Sequence, residues 1–348
     1  MSDMTVTRRQ ALRSVGLLAA GSSLVQSQDL TGEPPIRFAP RGELVNVLEF
    51  EDQAARKLSR AAYAAIAGSD REAFDRMTLR PRMMVNCMDL DLTTELFGDR
   101  MFAPILVGPI AQQRTFHPEG ELATARGAAA AKAVMVVSSR SSHPIDEIAA
   151  QAGTTLWYQA EPDEHIGHVR TQVRRAIEAG CKALCITVER GSPTSGPAID
   201  WAVIDQMRQG VDVPVLLKGV MTPEDAKTAV RKGLQGIVVS DYRRHATAKS
   251  GPMPIEVLPS IADAVEGKVP VLVDGSFRRG ADMLKALAFG ARAVLVGRPP
   301  MWGLAAYGAD GVQTVLELLQ TDLARMMGGC GRPAIKTIDR SVVKIHAR

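Results

Sequence analysis

Eight short apolar runs, separated by segments of helical periodicity, constrain this chain more than any other feature. They lie at residues 105–108, 134–138, 156–159, 183–187, 215–218, 237–240, 271–274 and 293–297. Each has four or five residues dominated by apolar side chains, the composition of a strand buried on both faces. Between them, residues 119–131, 164–179, 223–232 and those from 279 onward place apolar side chains at helical spacing. This alternation predicts an α/β fold, a (β/α)8 TIM barrel over about residues 104–330. A doubly wound open sheet fits less well, because no glycine fingerprint follows the first strand. Ahead of the barrel, Leu48, Ala55, Leu58, Ala62 and Ile66 share one face and predict a helical extension over residues 44–67.

In such a barrel the chemistry gathers at the carboxyl ends of the strands. After the first four strands that rule selects Pro109, Ile110 and Ala111, then Ser138 and Arg140, Gln159 and Glu161, and Thr187 and Glu189. After the last four it selects Lys218, then Ser240, Tyr242, Arg243 and His245, then Asp274, Gly275, Ser276 and Arg278, then Gly297 and Arg298. The two glycine turns would bring Arg278 and Arg298 to one point. Backbone N–H groups, a helix N-terminus and two guanidinium groups make an anion site, best filled by a phosphate. The alternative is an ordinary β-α-β unit whose arginines pair with surface acids. The rim offers no cysteine, no Ser-His-Asp arrangement and no metal cluster. A lone Lys218 could form a Schiff base or stabilise negative charge on an electron-poor ring. A phosphate site, hydrogen-bonding groups for a large polar ring and one lysine together suggest flavin mononucleotide.

Charge and composition narrow the partners. The net charge is +4 and no basic tract is interleaved with aromatics, so nucleic acid is not a natural partner. The four cysteines, Cys87, Cys181, Cys185 and Cys330, lack metal-ligand spacing, and Cys181 and Cys185 read as buried thiols. At the N-terminus, Arg8-Arg9-Gln10-Ala11-Leu12-Arg13 precedes a modest apolar stretch at 15–20, then Gly21-Ser22-Ser23. This resembles a twin-arginine export signal and is too short to span a bilayer. Residues 1–40 are expected to be signal and linker, and residues 41–348 one domain, exported to the periplasm. A basic tail on a cytoplasmic protein is the other reading.

The chain resembles the FMN-dependent α-hydroxy-acid dehydrogenase and oxidase family, which includes glycolate oxidase and flavin-linked lactate and mandelate dehydrogenases. The resemblance covers about residues 45–343. It rests on Arg80-Pro81-Arg82, His117-Pro118-Glu119-Gly120-Glu121, Leu217-Lys218-Gly219, the Asp-Gly-x-x-Arg-Arg-Gly run from Asp274 to Gly280, and Gly297-Arg298-Pro299. It implies that Pro109, Ile110, Ala111, Ser138, Gln159, Thr187, Lys218 and Ser240 contact FMN. It also implies that Asp274, Arg278, Gly297 and Arg298 hold its phosphate end. His117 is expected to cap or to pack rather than to catalyse. A small-molecule donor, an unspecified electron acceptor and a homotetramer are further implications.

The departures fall on the substrate side. The family's sixth strand is followed by Ser-Asn-His-Gly-Gly-Arg, whose His takes the hydroxyl proton and whose Arg pairs with the substrate carboxylate. Here that segment reads Ser240-Asp241-Tyr242-Arg243-Arg244-His245. Tyr242 stands for the base and His245 for the arginine. Glu161, Glu189, Arg140 and Ala65 replace a tyrosine, an aspartate, a tryptophan and a second tyrosine, and the loop at 190–199 is short. His245 is a candidate base, because imidazole titrates near neutrality. Arg140, Arg243 and Arg244 could supply cation to an anionic donor. Three readings stay open: a flavin oxidoreductase with an altered donor, an FMN-binding protein without turnover, and a phosphate-dependent barrel enzyme using Lys218 covalently.

Overall fold

The computed structural model describes residues 38–68, 71–163, 165–188, 200–241 and 251–346. Residues Ala39–Arg348 form one compact unit. The expected helical extension is two helices, α1 (Val47–Lys57) and α2 (Arg60–Ala64), not one. The break has a local cause. Leu58 is extended, and Ser59 turns its hydroxyl back to accept from Ala62 N at 3.2 Å, starting a new helix. A short α3 (Glu72–Asp75) leads into strand β1 (Met77–Leu79). Strands β2 (Thr94–Leu96) and β3 (Asp99–Met101) then form a hairpin.

Eight parallel strands close into a barrel: β4 (Ile105–Val107), β5 (Met135–Ser138), β6 (Leu156–Ala160), β7 (Leu184–Thr187), β8 (Val215–Val220), β9 (Gly236–Val239), β10 (Val271–Val273) and β11 (Ala293–Val296). Each matches an expected strand to within two residues, and β11 returns to pair with β4. The intervening helices are α4 (Gly120–Ala130), α5 (Ile145–Ala152), α6 (Ile166–Glu178), α7 (Trp201–Met207), α8 (Pro223–Arg231), α9 (Pro254–Val265) and α10 (Gly280–Ala288). The long α11 (Arg298–Gly329) bends at Gly308, whose φ is +63°. Strand β12 (Val343–Ile345) pairs antiparallel with β1.

Side chains alternate across each strand, and the barrel interior takes one from every strand. Leu106, Val136, Trp157, Cys185, Leu216, Val238, Leu272 and Leu295 belong to this inner cluster. Leu96 and Met101 of the hairpin join them, with Phe97 packed against Trp157 at 5.6 Å between ring centroids, and so stopper the interior. The opposite faces of the strands pack on the helices in a larger cluster that includes Ile105, Val137, Ile186, Leu217 and Ile237. Cys181 and Cys185 are buried free thiols, both pushed up to about 12 by burial. Among the described residues no helix is long and apolar enough to cross a membrane.

Candidate active site

Two residues along each strand from the inner apolar ring, the same side-chain period points inward again. Those positions are Gly108, Ser138, Gln159, Thr187, Lys218, Ser240, Asp274 and Gly297. The top layer of the barrel interior is therefore polar or open where the layer below is apolar. Ser138, Gln159, Thr187, Lys218 and Ser240 are all buried. A buried polar group is costly unless it is paired, and these are paired with one another. Ser138 Oγ donates to Gln159 Oε1 at 3.0 Å, and Gln159 Nε2 donates to Thr187 Oγ1 at 2.9 Å. Lys218 Nζ lies 2.7 Å from Ser240 Oγ and 2.8 Å from the Asp274 carboxylate. A bulge in β8 between Lys218 and Val220 accompanies that placement. Gly219 makes it possible: its φ is +110°, and a Cβ there would lie 2.2 Å from the Val188 carbonyl oxygen.

Outside this layer, Glu161 accepts from Gln159 Nε2 at 3.3 Å and pairs with Arg140 at 2.5 Å. Arg140 is exposed and Glu161 half-buried, so this ion pair sits at the mouth, joining the loops after β5 and β6. Pro109, Ile110 and Ala111 are half-buried on the loop after β4. The remaining substrate-side residues, Glu189, Tyr242, Arg243, Arg244 and His245, lie outside the described residues, as does the segment 190–199.

The glycine turns do bring the two arginines together. Arg278 Nη2 donates to the Gly68 carbonyl at 3.1 Å, and Arg298 Nη1 donates to the same oxygen and to Ala67 O. Arg278 is 3% exposed, lies 4.7 Å over the Trp302 ring, and its Nε is buried without a partner. Burial, then the charge of Arg298, holds the Arg278 guanidinium well below its usual range, and burial also lowers Arg298. Two crowded, desolvated cations are what a phosphate would stabilise. Ser276 adopts φ +59° in this turn, a conformation an L-residue holds only under constraint.

That constraint comes from residues the sequence did not single out. Asp282 Oδ2 accepts from Arg278 N and Arg279 N, both at 3.0 Å, and its carboxylate takes a bidentate contact from Arg71 at 2.7 and 2.9 Å. Arg71 also donates to the Ser276 carbonyl at 3.2 Å. The local half was readable, since an Asp three residues after the helix cap is a capping signal. The long-range half, from Arg71, carried no signal. Trp302, fully buried with its indole N–H on Ile66 O at 2.8 Å, was also missed. His117 behaves as expected: its Nδ1 accepts from Glu119 N at 3.3 Å.

The family model for FMN-dependent dehydrogenases matches residues 58–192 and 189–345. The chain belongs to this family. It is 36% identical to a peroxisomal (S)-2-hydroxy-acid oxidase of Oryza sativa subsp. japonica, over 86% of this chain and 95% of that protein. It is 34% identical to an L-lactate oxidase of Nostoc sp., over 86% of this chain and 98% of that protein. A crystal structure of mandelate oxidase superposes with a TM-score of 0.82 at 35% identity, covering 88% of this chain and all of that one. This family member is thus an FMN-dependent oxidoreductase acting on CH–OH donors. Its own residues fit that cofactor: the unpartnered Arg278 Nε and the paired guanidinium groups suit the phosphate, and the polar top layer suits a flavin ring.

Proposed function

We propose that this protein oxidises an anionic 2-hydroxy acid to the 2-oxo acid at the carboxyl rim of its barrel. The observation that carries the reading is the polar layer from Ser138 to Asp274, ending in Lys218, beside the arginine pair. FMN, when bound, supplies the acceptor for the two electrons that leave the donor carbon. Arg278 and Arg298 bind its phosphate, with Gly275, Ser276 and Gly297 forming the turns. Ser138, Gln159 and Thr187 orient the ring through hydrogen bonds, and Pro109, Ile110 and Ala111 close its edge. Lys218, held by Asp274 and Ser240, places fixed positive charge where negative charge develops.

On the donor side, Arg140 is the carboxylate clamp, and Glu161 holds its guanidinium in place. Arg243 adds positive charge for the same anionic donor. His245 is the base that takes the hydroxyl proton, because the phenol of Tyr242 titrates near 10 in ordinary surroundings. The clamp and base therefore differ from those of the relatives, and lactate and glycolate should be poor donors. The twin-arginine segment delivers the protein, folded, to the periplasm, where an electron acceptor re-oxidises it. A homotetramer is the assembly expected from the family resemblance.

An anaerobic donor screen on the FMN-loaded protein, read by flavin bleaching, tests this. Hydroxy acids larger than lactate should bleach the flavin, and His245→Ala should slow bleaching by about 10²–10⁴ while Tyr242→Phe changes it little. No bleaching by any hydroxy acid would instead favour an FMN-binding protein without turnover.

A further inference from the structure

The His-Pro-Glu-Gly-Glu run ends in an acid that the reaction above does not use. Glu121 stands in the first turn of α4, is fully buried, and one of its carboxylate oxygens does a large share of local work. Oε1 accepts from Gln113 N at 3.1 Å, Ser142 N at 2.9 Å and Ser142 Oγ at 3.3 Å. Gln113 lies on the loop after β4 and Ser142 on the loop after β5. Oε2 is buried and has no partner. A buried carboxylate costs several kcal/mol unless it is well paired, so the three donors explain how it is tolerated.

The same helix face fixes the first loop a second time. Thr124 Oγ1, one turn on from Glu121, donates to Gln113 Oε1 at 2.6 Å, and Gln113 Nε2 donates to the Ile110 carbonyl at 3.2 Å. Ser142 Oγ accepts from Arg114 N at 3.0 Å, and Gln112 N donates to the Arg140 carbonyl at 3.0 Å. One loop carries Ile110 at the flavin edge; the other carries Arg140 at the donor's carboxylate. We infer that Glu121, with Gln113 and Thr124, is a positioning residue that holds the flavin-edge loop and the Arg140 loop in one fixed relation. It contacts neither cofactor nor donor. The inference rests on the donor-side role given to Arg140 above.

The test uses the full chain loaded with FMN and the product-like anions pyruvate and benzoylformate as probes, with binding read from the flavin spectrum. In Glu121→Ala the anion Kd should rise by about tenfold or more, since ångström-scale misplacement from remote changes has effects of that order. The flavin absorption maximum should shift, while FMN affinity changes far less. Glu121→Gln should restore the anion Kd in large part, because its amide oxygen can accept the same hydrogen bonds although its NH2 takes the buried place of Oε2. Parent-like anion binding and spectrum in Glu121→Ala would overturn the inference. So would equal loss of FMN affinity and thermal stability without rescue by Gln, which marks a general folding role. Should Glu121→Ala not fold, Thr124→Val removes the side-chain bond that holds Gln113 on the same loop, and an unchanged Kd there overturns the idea. If the parent binds neither anion, the hydroxy-acid reading fails, and the spectral shift in Glu121→Ala alone then decides the role of Glu121.

Discussion

Arg298→Ala should weaken FMN binding selectively through the phosphate. A hydrogen bond to a charged group is worth about 1.5–3 kcal/mol, and two features of the site set where in that range the loss falls. Arg298 already donates to the carbonyls of Ala67 and Gly68, which argues against the upper limit. Arg278 keeps its charge and stays beside the phosphate, which also limits the loss. The expectation is about 2 kcal/mol, or roughly 30-fold in Kd. Arg298 also ties down the extension at Gly68, so a plain loss of affinity would be ambiguous. Riboflavin, which lacks the phosphate, separates the two causes. Apo-protein is titrated with each flavin and quenching of flavin fluorescence is followed. FMN affinity should fall about 30-fold and riboflavin affinity hardly at all. Equal losses for both flavins would refute the phosphate assignment and make Arg298 a structural tie.

Three other outcomes are expected. Lys218→Met should keep FMN but slow anaerobic flavin reduction in stopped flow by about 10²–10³, the usual cost of removing one fixed donor from a reacting site; an unchanged rate would remove Lys218 from the chemistry. Arg71→Ala strands the buried Asp282 carboxylate and should cost stability near the lower end of the roughly 3–5 kcal/mol seen for broken buried pairs, since Arg71 itself is partly exposed. Urea unfolding with an unchanged midpoint would contradict that. Replacing Arg8 and Arg9 together with Lys should leave the protein in the cytoplasm on fractionation, and continued export would show that the segment is not read as a twin-arginine signal.

The barrel was legible because every one of its strands is an apolar run too short for a helix and bounded by turn residues. The active rim was legible for a geometric reason: once strands are known, their carboxyl ends are known, and Ser138, Gln159, Thr187, Lys218, Ser240 and Asp274 fall there. What escaped was what depends on distant pairing. Strands β1 and β12 are three residues each, too short to show a period, and each needs the other. The hairpin β2–β3 is similarly brief, and its role in stoppering the barrel is a tertiary fact. The break at Leu58–Ser59 interrupts a face whose apolar spacing continues, so periodicity alone ran through it. Asp282 and Glu121 look like ordinary first-turn helix acids until Arg71 and Ser142 arrive from elsewhere in the chain.

The pairing of β1 with β12 also orders events in time. Thr78 and His346, hydrogen-bonded across this ribbon, are 268 residues apart in sequence. During synthesis, the extension's strand waits for nearly the whole barrel to be made before its partner exists. Such long-range closure comes late, because the entropy of a large loop must be overcome first. The extension carries Ala67 and Gly68, whose carbonyls meet Arg278 and Arg298 on the barrel rim. These contacts are therefore secured only after every barrel strand has been made, when β12 docks on β1. A ligand that binds only the finished state stabilises it in proportion to the logarithm of its concentration, so cofactor capture and the docking of this ribbon are coupled steps.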